Sequence, residues 1–209
     1  MGRPTRFFVP GVSAHLIQRG NNRSKVFHDE SDYEVFLLML RGAATRYGLA
    51  VHGFVLMTNH YHLQATPVFD FSVSRALQKL DGQYARWYNK RHDRIGPLWN
   101  GRFRGIEIAD EKYWLTCLRY IEMNPVRAGI VRSPELHRWS SYMAHGGNHA
   151  SEWLSDHAVY TAFGKTAKER QTAYRALCGS PLTAEESARV RYGYLAAVPE
   201  SCQSVVRVG

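Results

Sequence analysis

Apolar and polar positions alternate loosely over residues 12–19 (VSAHLIQR), which predicts a strand. Arg19-Gly20-Asn21-Asn22-Arg23 follows as a turn flanked by cations. Ser31-Asp32 is a capping pair, and beyond it Phe36, Leu40, Ala43 and Tyr47 recur at helical spacing until Gly48 stops the helix. Residues 50–57 (AVHGFVLM) form an apolar run of buried-strand length. Thr58-Asn59 can turn, and 60–66 (HYHLQAT) returns, so the pair predicts a hairpin closed by Pro67. Ser72 can cap a second helix with Val73, Leu77, Leu80, Tyr84 and Tyr88 on its apolar face. A basic loop runs from Asn89 to a break at Gly96-Pro97, and residues 102–108 (RFRGIEI) predict another strand. Asp110 caps a third helix over residues 111–124, which ends at Asn124-Pro125 because the residue before proline avoids the helical region.

The order strand, helix, strand, strand, helix, strand, helix indicates an α+β fold. Its simplest closure is a ferredoxin-like (RRM-like) antiparallel sheet with helices on one face. Composition shifts at Gly146-Gly147-Asn148, which divides the chain into a domain over residues 1–145 and a small helical C-terminal extension over 146–209. In that extension Thr183-Ala184-Glu185-Glu186 is a capping box opening a helix over 184–197, and a mobile tail is expected from Pro199.

Charge narrows the choice of partner. Lys and Arg number 27 against 18 Asp and Glu, a net +9, which favours a polyanion, although many basic proteins are merely soluble. No stretch approaches the ~20 apolar residues of a membrane span, and the basic N-terminus leads into no long apolar run, so neither a membrane nor a signal peptide is expected. Cys117, Cys178 and Cys202 are far apart, odd in number and lack a CxxC pair, so a cytoplasmic setting fits better than a disulfide framework or thiolate zinc site.

Three groups of residues could carry chemistry. His60 and His62 are two apart on a strand and therefore share a face, where two imidazoles could converge on a metal ion, while Tyr61 and Leu63 point the other way. Two histidines need a third ligand, and the plain alternative is a solvent-facing strand. Tyr120 and Asn124 are four apart on the third helix: a phenol that could attack phosphorus and an amide oxygen suited to a hard cation such as Mg²⁺ or Mn²⁺. Most tyrosines at such spacing are core packers, and Trp114, Leu118 and Ile121 form the expected core stripe of this helix. The third group is the run from Tyr84 to Arg104, in which Arg86, Lys90, Arg91, Arg94, Arg102 and Arg104 are interleaved with Trp87, Tyr88, Trp99 and Phe103. That mixture suits single-stranded nucleic acid, with cations on phosphates and rings on bases, or else a solvated helix end with core aromatics. Arg19, Asn21, Arg23 and Arg127 extend the same candidate surface.

Five stretches together resemble the REP-associated tyrosine transposases, relatives of the smallest single-strand insertion-sequence transposases. They are HLIQRGNNR (15–23), VHGFVLMTNHYHL (51–63), GPLWNGRFRG (96–105), YIEMNPVRAGIV (120–131) and RWSSY (138–142). The resemblance implies that His60 and His62 are metal ligands, Asn124 the third ligand and Tyr120 the nucleophile. It implies cleavage and rejoining of single-stranded DNA beside palindromic repeat hairpins through a 5′-phosphotyrosine link with a free 3′-hydroxyl. It further implies a divalent cofactor, Mg²⁺ or Mn²⁺, a nucleoid-associated place in the cytoplasm, and a monomer or homodimer in which the tyrosine acts in cis or in trans. Tyr61 between the histidines is bulkier than usual, and Glu122 is an added acid read as facing solvent. The rival readings are a non-catalytic nucleic-acid-binding module on the same scaffold, an RNA-processing module, and a relaxase, for whose extra domains the chain has no room.

Overall fold

The computed structural model describes residues 5–108 and 110–192. Strand β1 (Ala14–Arg19) leads to helix α1 (Glu30–Tyr47), the hairpin β2 (Leu49–Met57) and β3 (His60–Pro67), helix α2 (Ser72–Arg91) and strand β4 (Arg104–Glu107). The strands pair antiparallel in the order β2-β3-β1-β4, the ferredoxin-like arrangement. Cys202, the predicted tail and residues 193–197 of the last predicted helix lie outside the described residues.

Side-chain parity gives the sheet two different faces. Leu16, Tyr61, Leu63 and Ala65 join Phe36, Leu77, Leu80 and Tyr84 in the core beneath α1 and α2. His15, His62 and Gln64, also buried, lie on the other face. Helix α3 (Glu111–Glu122) covers that face, where Gln64 Nε2 donates to the Trp114 carbonyl at 3.1 Å. At Gly53 a β-carbon would run into Leu118 Cδ1, so the missing side chain is what lets α3 lie close on the sheet. The register shift between Val51 and Gly53 makes His52 a bulged residue, which keeps both Val51 and Phe54 in the core under α1 and α2.

The helix signals hold with shifts of a residue or two. Gly48 ends α1 in the left-handed region at φ 63°. Its cap is Asp29, which accepts from Asp32 N–H, rather than Ser31-Asp32; the Asp32 side chain is fully buried and bound to Arg91 and His92 instead. Asp110 caps α3 through Tyr113 N–H at 2.7 Å. Helix α3 breaks at Met123 and a single turn, α4 (Asn124–Arg127), follows with Pro125 near its start. Short α5 (Tyr142–His145) and α6 (Ala158–Thr161), then α7 (Ala167–Cys178) and α8 (Ala184–Tyr192), follow within the described residues, and the reciprocal Thr183–Glu186 cap is present. Tyr142, Tyr160, Tyr174 and Val190 pack with Leu118 and Ile121 in one apolar cluster on α3. The expected stripe of Trp114, Leu118 and Ile121 is buried, and so are Tyr113, Cys117 and Tyr120, because the sheet and the C-terminal helices cover α3 from different sides.

Candidate active site

Strand β3 places His60 and His62 on the α3 side of the sheet, with ring centroids 5.0 Å apart. Both rings are oriented by a bond at Nδ1. His60 Nδ1 lies 2.6 Å from Asn59 Oδ1, and His62 Nδ1 lies 2.8 Å from His15 Nε2. Holding Nδ1 in this way directs Nε2 of each imidazole to the outside. Burial lowers the His60 pKa to about 4, with Arg19 adding to the effect. Burial also holds His62 well below the ordinary histidine range, reinforced by His15, His60, Arg19 and Arg127. Both rings are therefore neutral near pH 7, the form that binds metal.

Helix α3 brings Tyr120 to the same place. Its ring centroid is 6.0 Å from that of His62 and 6.2 Å from that of His15. Asn124 opens the turn after the break, and its amide nitrogen lies 3.5 Å from His62 Nε2. The break before proline thus does not carry Asn124 away from the histidines. A half-turn of the amide presents Oδ1 instead, and ordinary packing does not distinguish the two orientations.

A cavity of about 710 Å³ lies over these groups. Arg19, Arg23, Arg102, Arg104 and Arg127 line it beside His60, His62, Tyr120 and Asn124. The Arg127 guanidinium carbon sits 4.1 Å from the Tyr120 ring centroid, a cation–π contact. So dense a collection of positive charge is a place for polyanion phosphates.

Other residues of the basic run are used elsewhere. Arg91 pairs with Asp29 at 2.7 Å and Asp32 at 3.0 Å, tying the end of α2 to the start of α1. Arg94 donates to Asn89 and to the Gly96 and Pro97 carbonyls, shaping its own loop. Arg86 lines a separate hollow with Tyr47 and Arg75, and Lys90 is exposed on α2. Trp99 is largely buried, with its indole N–H on the Asp81 carbonyl at 3.0 Å. Asn21 gives its backbone N–H to the Leu98 carbonyl and does not line the arginine cavity.

Two site residues escaped the sequence reading. His15 is fully buried, and burial, with Arg104 nearby, lowers its pKa to about 3. Strand parity was the available signal, since His15 shares a face with Arg19. Arg191, on α8, lines the cavity, and the Tyr192 and Tyr120 hydroxyls beside it raise its pKa. Nothing in the local sequence around Arg191 could have signalled this, because the contact spans the chain from α3 to α8. Glu122 is a correction: it is fully buried rather than solvent-facing, and accepts from Ser141, from His145 Nδ1 at 2.6 Å and from Tyr174 at 2.8 Å.

Among the described residues no cluster of three His, Cys, Asp or Glu side chains could hold an ion. The donors that could do so are Nε2 of His60, Nε2 of His62 and the amide oxygen of Asn124. Two neutral imidazoles and one carbonyl-type oxygen fit a divalent ion that keeps open positions for a ligand oxygen. A metal on Nε2 of His62 requires a proton on Nδ1, which then donates to His15 Nε2.

A ferredoxin-like sheet with two neutral imidazoles and a phenol in an arginine-ringed hollow defines a class of protein that handles nucleic-acid phosphates. The chain belongs to the IS200-like transposase family, whose model matches residues 8–124, more than half of the chain. The structure is similar to that of a REP-associated tyrosine transposase bound to a REP hairpin, with a TM-score of 0.58 at 19% identity over 76% of this chain and 96% of that one. A transposase-like protein of Deinococcus radiodurans R1 aligns at 24% identity over 53% of this chain and 89% of that one, with a TM-score of 0.40. Among curated proteins none matches the chain. No helix of the described residues is long and apolar enough to cross a membrane.

Proposed function

We propose that the protein is a metal-dependent single-strand DNA endonuclease and transposase that cleaves and rejoins strands beside palindromic repeat hairpins, with Tyr120 as nucleophile. The observation that carries this reading is the meeting of Tyr120 with His60, His62 and Asn124 of the same chain in one arginine-lined cavity. It favours attack within a single chain.

His60, His62 and Asn124 would hold Mg²⁺ or Mn²⁺, which when bound supplies Lewis-acid polarisation of a phosphate oxygen. Arg19, Arg23, Arg102 and Arg104 hold the strand by its phosphates and leave the bases free to be read by other groups. The Tyr120 oxygen attacks phosphorus. A Tyr–O–P bond forms as the phenol releases its proton to solvent, the bond to the 3′-oxygen breaks, and that oxygen leaves as a hydroxyl after taking one proton back from solvent. The 5′-phosphotyrosine link conserves the phosphodiester, so a 3′-hydroxyl can reverse the step without ATP. Arg127 over the ring and Arg191 at the hydroxyl place positive charge where the attacking oxygen and the phosphate carry negative charge. Burial keeps water from the His62 side of the site.

The test uses 5′- and 3′-labelled hairpin DNA with a single-stranded flank, Mg²⁺ or Mn²⁺, and a denaturing gel. Wild type should give a slowly migrating protein–DNA adduct and a free 3′-hydroxyl fragment, and Tyr120→Phe neither. Equal cleavage by both would remove Tyr120 from the mechanism.

A further inference from the structure

A second cavity, of about 580 Å³, opens on the other face of the sheet between α2 and residues 97–103. That volume is within the range of small-molecule pockets. It is chemically polarised. At its floor is Asp81, 9% exposed, whose carboxyl accepts from the Tyr61 hydroxyl at 2.8 Å and from Gln18 Nε2 at 3.1 Å. Among the described residues no Lys or Arg forms an ion pair with Asp81, so each oxygen retains accepting capacity. Burial raises its carboxyl to about 7, the behaviour of an acid short of donors. The walls are Trp99 and Phe103. At the mouth is Arg6, whose guanidinium carbon lies 5.2 Å from the Phe103 ring centroid and whose buried NH1 has no hydrogen-bond partner among the described residues. Arg102 and Arg104 press like charge against Arg6 and lower its pKa after burial has done so. Unpartnered nitrogen amid like charge is an anion site.

The two cavities meet at one edge of the sheet. Strand β4 pairs with β1 only as far as Ile17, and beyond it Gln18 and Arg102 line both hollows. A strand lying across the Tyr120 cavity therefore passes the opening of the second one.

We propose that this cavity receives one unpaired guanine nucleotide of the bound strand, with its phosphate at Arg6 and Arg102, its ring against Phe103 and Trp99, and its Watson–Crick edge on the Asp81 carboxylate. Guanine alone has two adjacent donors on that edge, N1–H and the N2 amine, to meet two carboxylate oxygens. Adenine and cytosine set one amine beside an acceptor, and thymine sets one imino group between two carbonyls, so each turns a lone pair toward the acid. This names a specificity contact for the proposed DNA substrate and rests on that reading for the identity of the ligand.

The test measures fluorescence anisotropy of the full chain with hairpin DNAs whose single-stranded flank carries guanine, adenine, cytosine, thymine or inosine at each position in turn. One position should prefer guanine by about 10-fold or more, with inosine, which lacks the N2 amine, between guanine and the rest. Asp81→Asn should reduce that preference to about two-fold or less while leaving the other positions unchanged. Asp81 is buried, so Gly82→Leu provides an independent variant. A β-carbon at Gly82 meets nothing nearer than Arg86 NH1 at 3.5 Å, leucine favours a helix over glycine, and the side chain fills the cavity. It should melt no lower than wild type and lose the guanine preference. A folded Gly82→Leu protein that keeps the preference, or the absence of any guanine-preferring position, overturns the proposal. Binding of free dGMP that Gly82→Leu abolishes, without a flank preference, assigns a free nucleotide and overturns the DNA assignment. Adduct formation on the same oligonucleotides separates the two readings: preference without an adduct sinks Tyr120 as nucleophile, and an adduct without preference sinks the guanine pocket.

Discussion

Glu122 sits two residues after the candidate nucleophile, and its replacement by alanine tests how α3 is held. Its side chain is fully buried, and it accepts from three donors: Ser141 and His145 at Oε1, Tyr174 at Oε2. Glu122→Ala leaves all three donors inside a cluster of Leu118, Ile121, Tyr160 and Tyr174 where water has little access. Each buried donor without an acceptor costs about 1–3 kcal/mol, and loss of one partner from a buried polar pair costs roughly 3–5 kcal/mol. Taking about 4 kcal/mol, and about 2–4 °C of Tm per kcal/mol for a chain of this size, the melting temperature should fall by about 10 °C. Glu122→Gln keeps an oxygen for Ser141 and His145 and disturbs only the Tyr174 side, so its cost should be near 1 kcal/mol, roughly the net worth of one hydrogen bond. Calorimetric melting of the three proteins at neutral pH reads the difference. If Glu122→Ala melts within about 3 °C of wild type, or if Ala and Gln are equally damaging, the three bonds are not what fastens α3 to the C-terminal helices.

Three further outcomes are expected. His15→Phe should raise the Mn²⁺ concentration for half-maximal adduct by about 10- to 100-fold, because His62 Nδ1 loses the bond that orients its ring; an unchanged Mn²⁺ requirement with the fold intact contradicts this. His52 is buried between the Ser155 carbonyl and Thr66, and its pKa is lowered from 6.5 to about 4, chiefly by burial. Its folded pKa being the lower one, the stability it contributes is full above pH 6.5 and is lost as pH falls toward 4, by up to about 3 kcal/mol at ~1.4 kcal/mol per pH unit. Urea midpoints measured from pH 7 to pH 4 should therefore fall less steeply in His52→Gln than in wild type, and parallel curves would rule the effect out. Gly53→Ala pushes α3 away from the sheet through Leu118; single-turnover adduct formation should slow by about 100-fold, as a shift near 1 Å can do, and recover in part when Leu118→Ala makes room. No recovery in the double variant would mean that the effect does not pass through that contact.

Much of the site was legible because strand parity and helix spacing are local. A period of two puts His60 and His62 on one face wherever β3 lies, and a spacing of four puts Tyr120 near Asn124 even across the irregular Met123. The arginines were harder to read. Arg19, Arg23, Arg102, Arg104 and Arg127 reach the cavity, whereas Arg91 and Arg94 resemble them in sequence yet are bound to Asp29, Asp32 and loop carbonyls. A cation's role depends on which carboxylate comes within reach, and Asp32 lies far from Arg91 along the chain.

By itself the sequence determined the element order, the hairpin, the caps at Asp110 and Thr183, and which residues share a face, because these follow from backbone sterics and side-chain periodicity within a few residues. Only the tertiary structure decided which faces meet. It laid α3 on the side of the sheet opposite α1 and α2, buried Glu122 under the C-terminal helices, set His15 behind His62 and brought Arg191 to Tyr120. Those pairings join segments from about 20 to about 100 residues apart, and they form because a two-faced sheet must cover both of its faces.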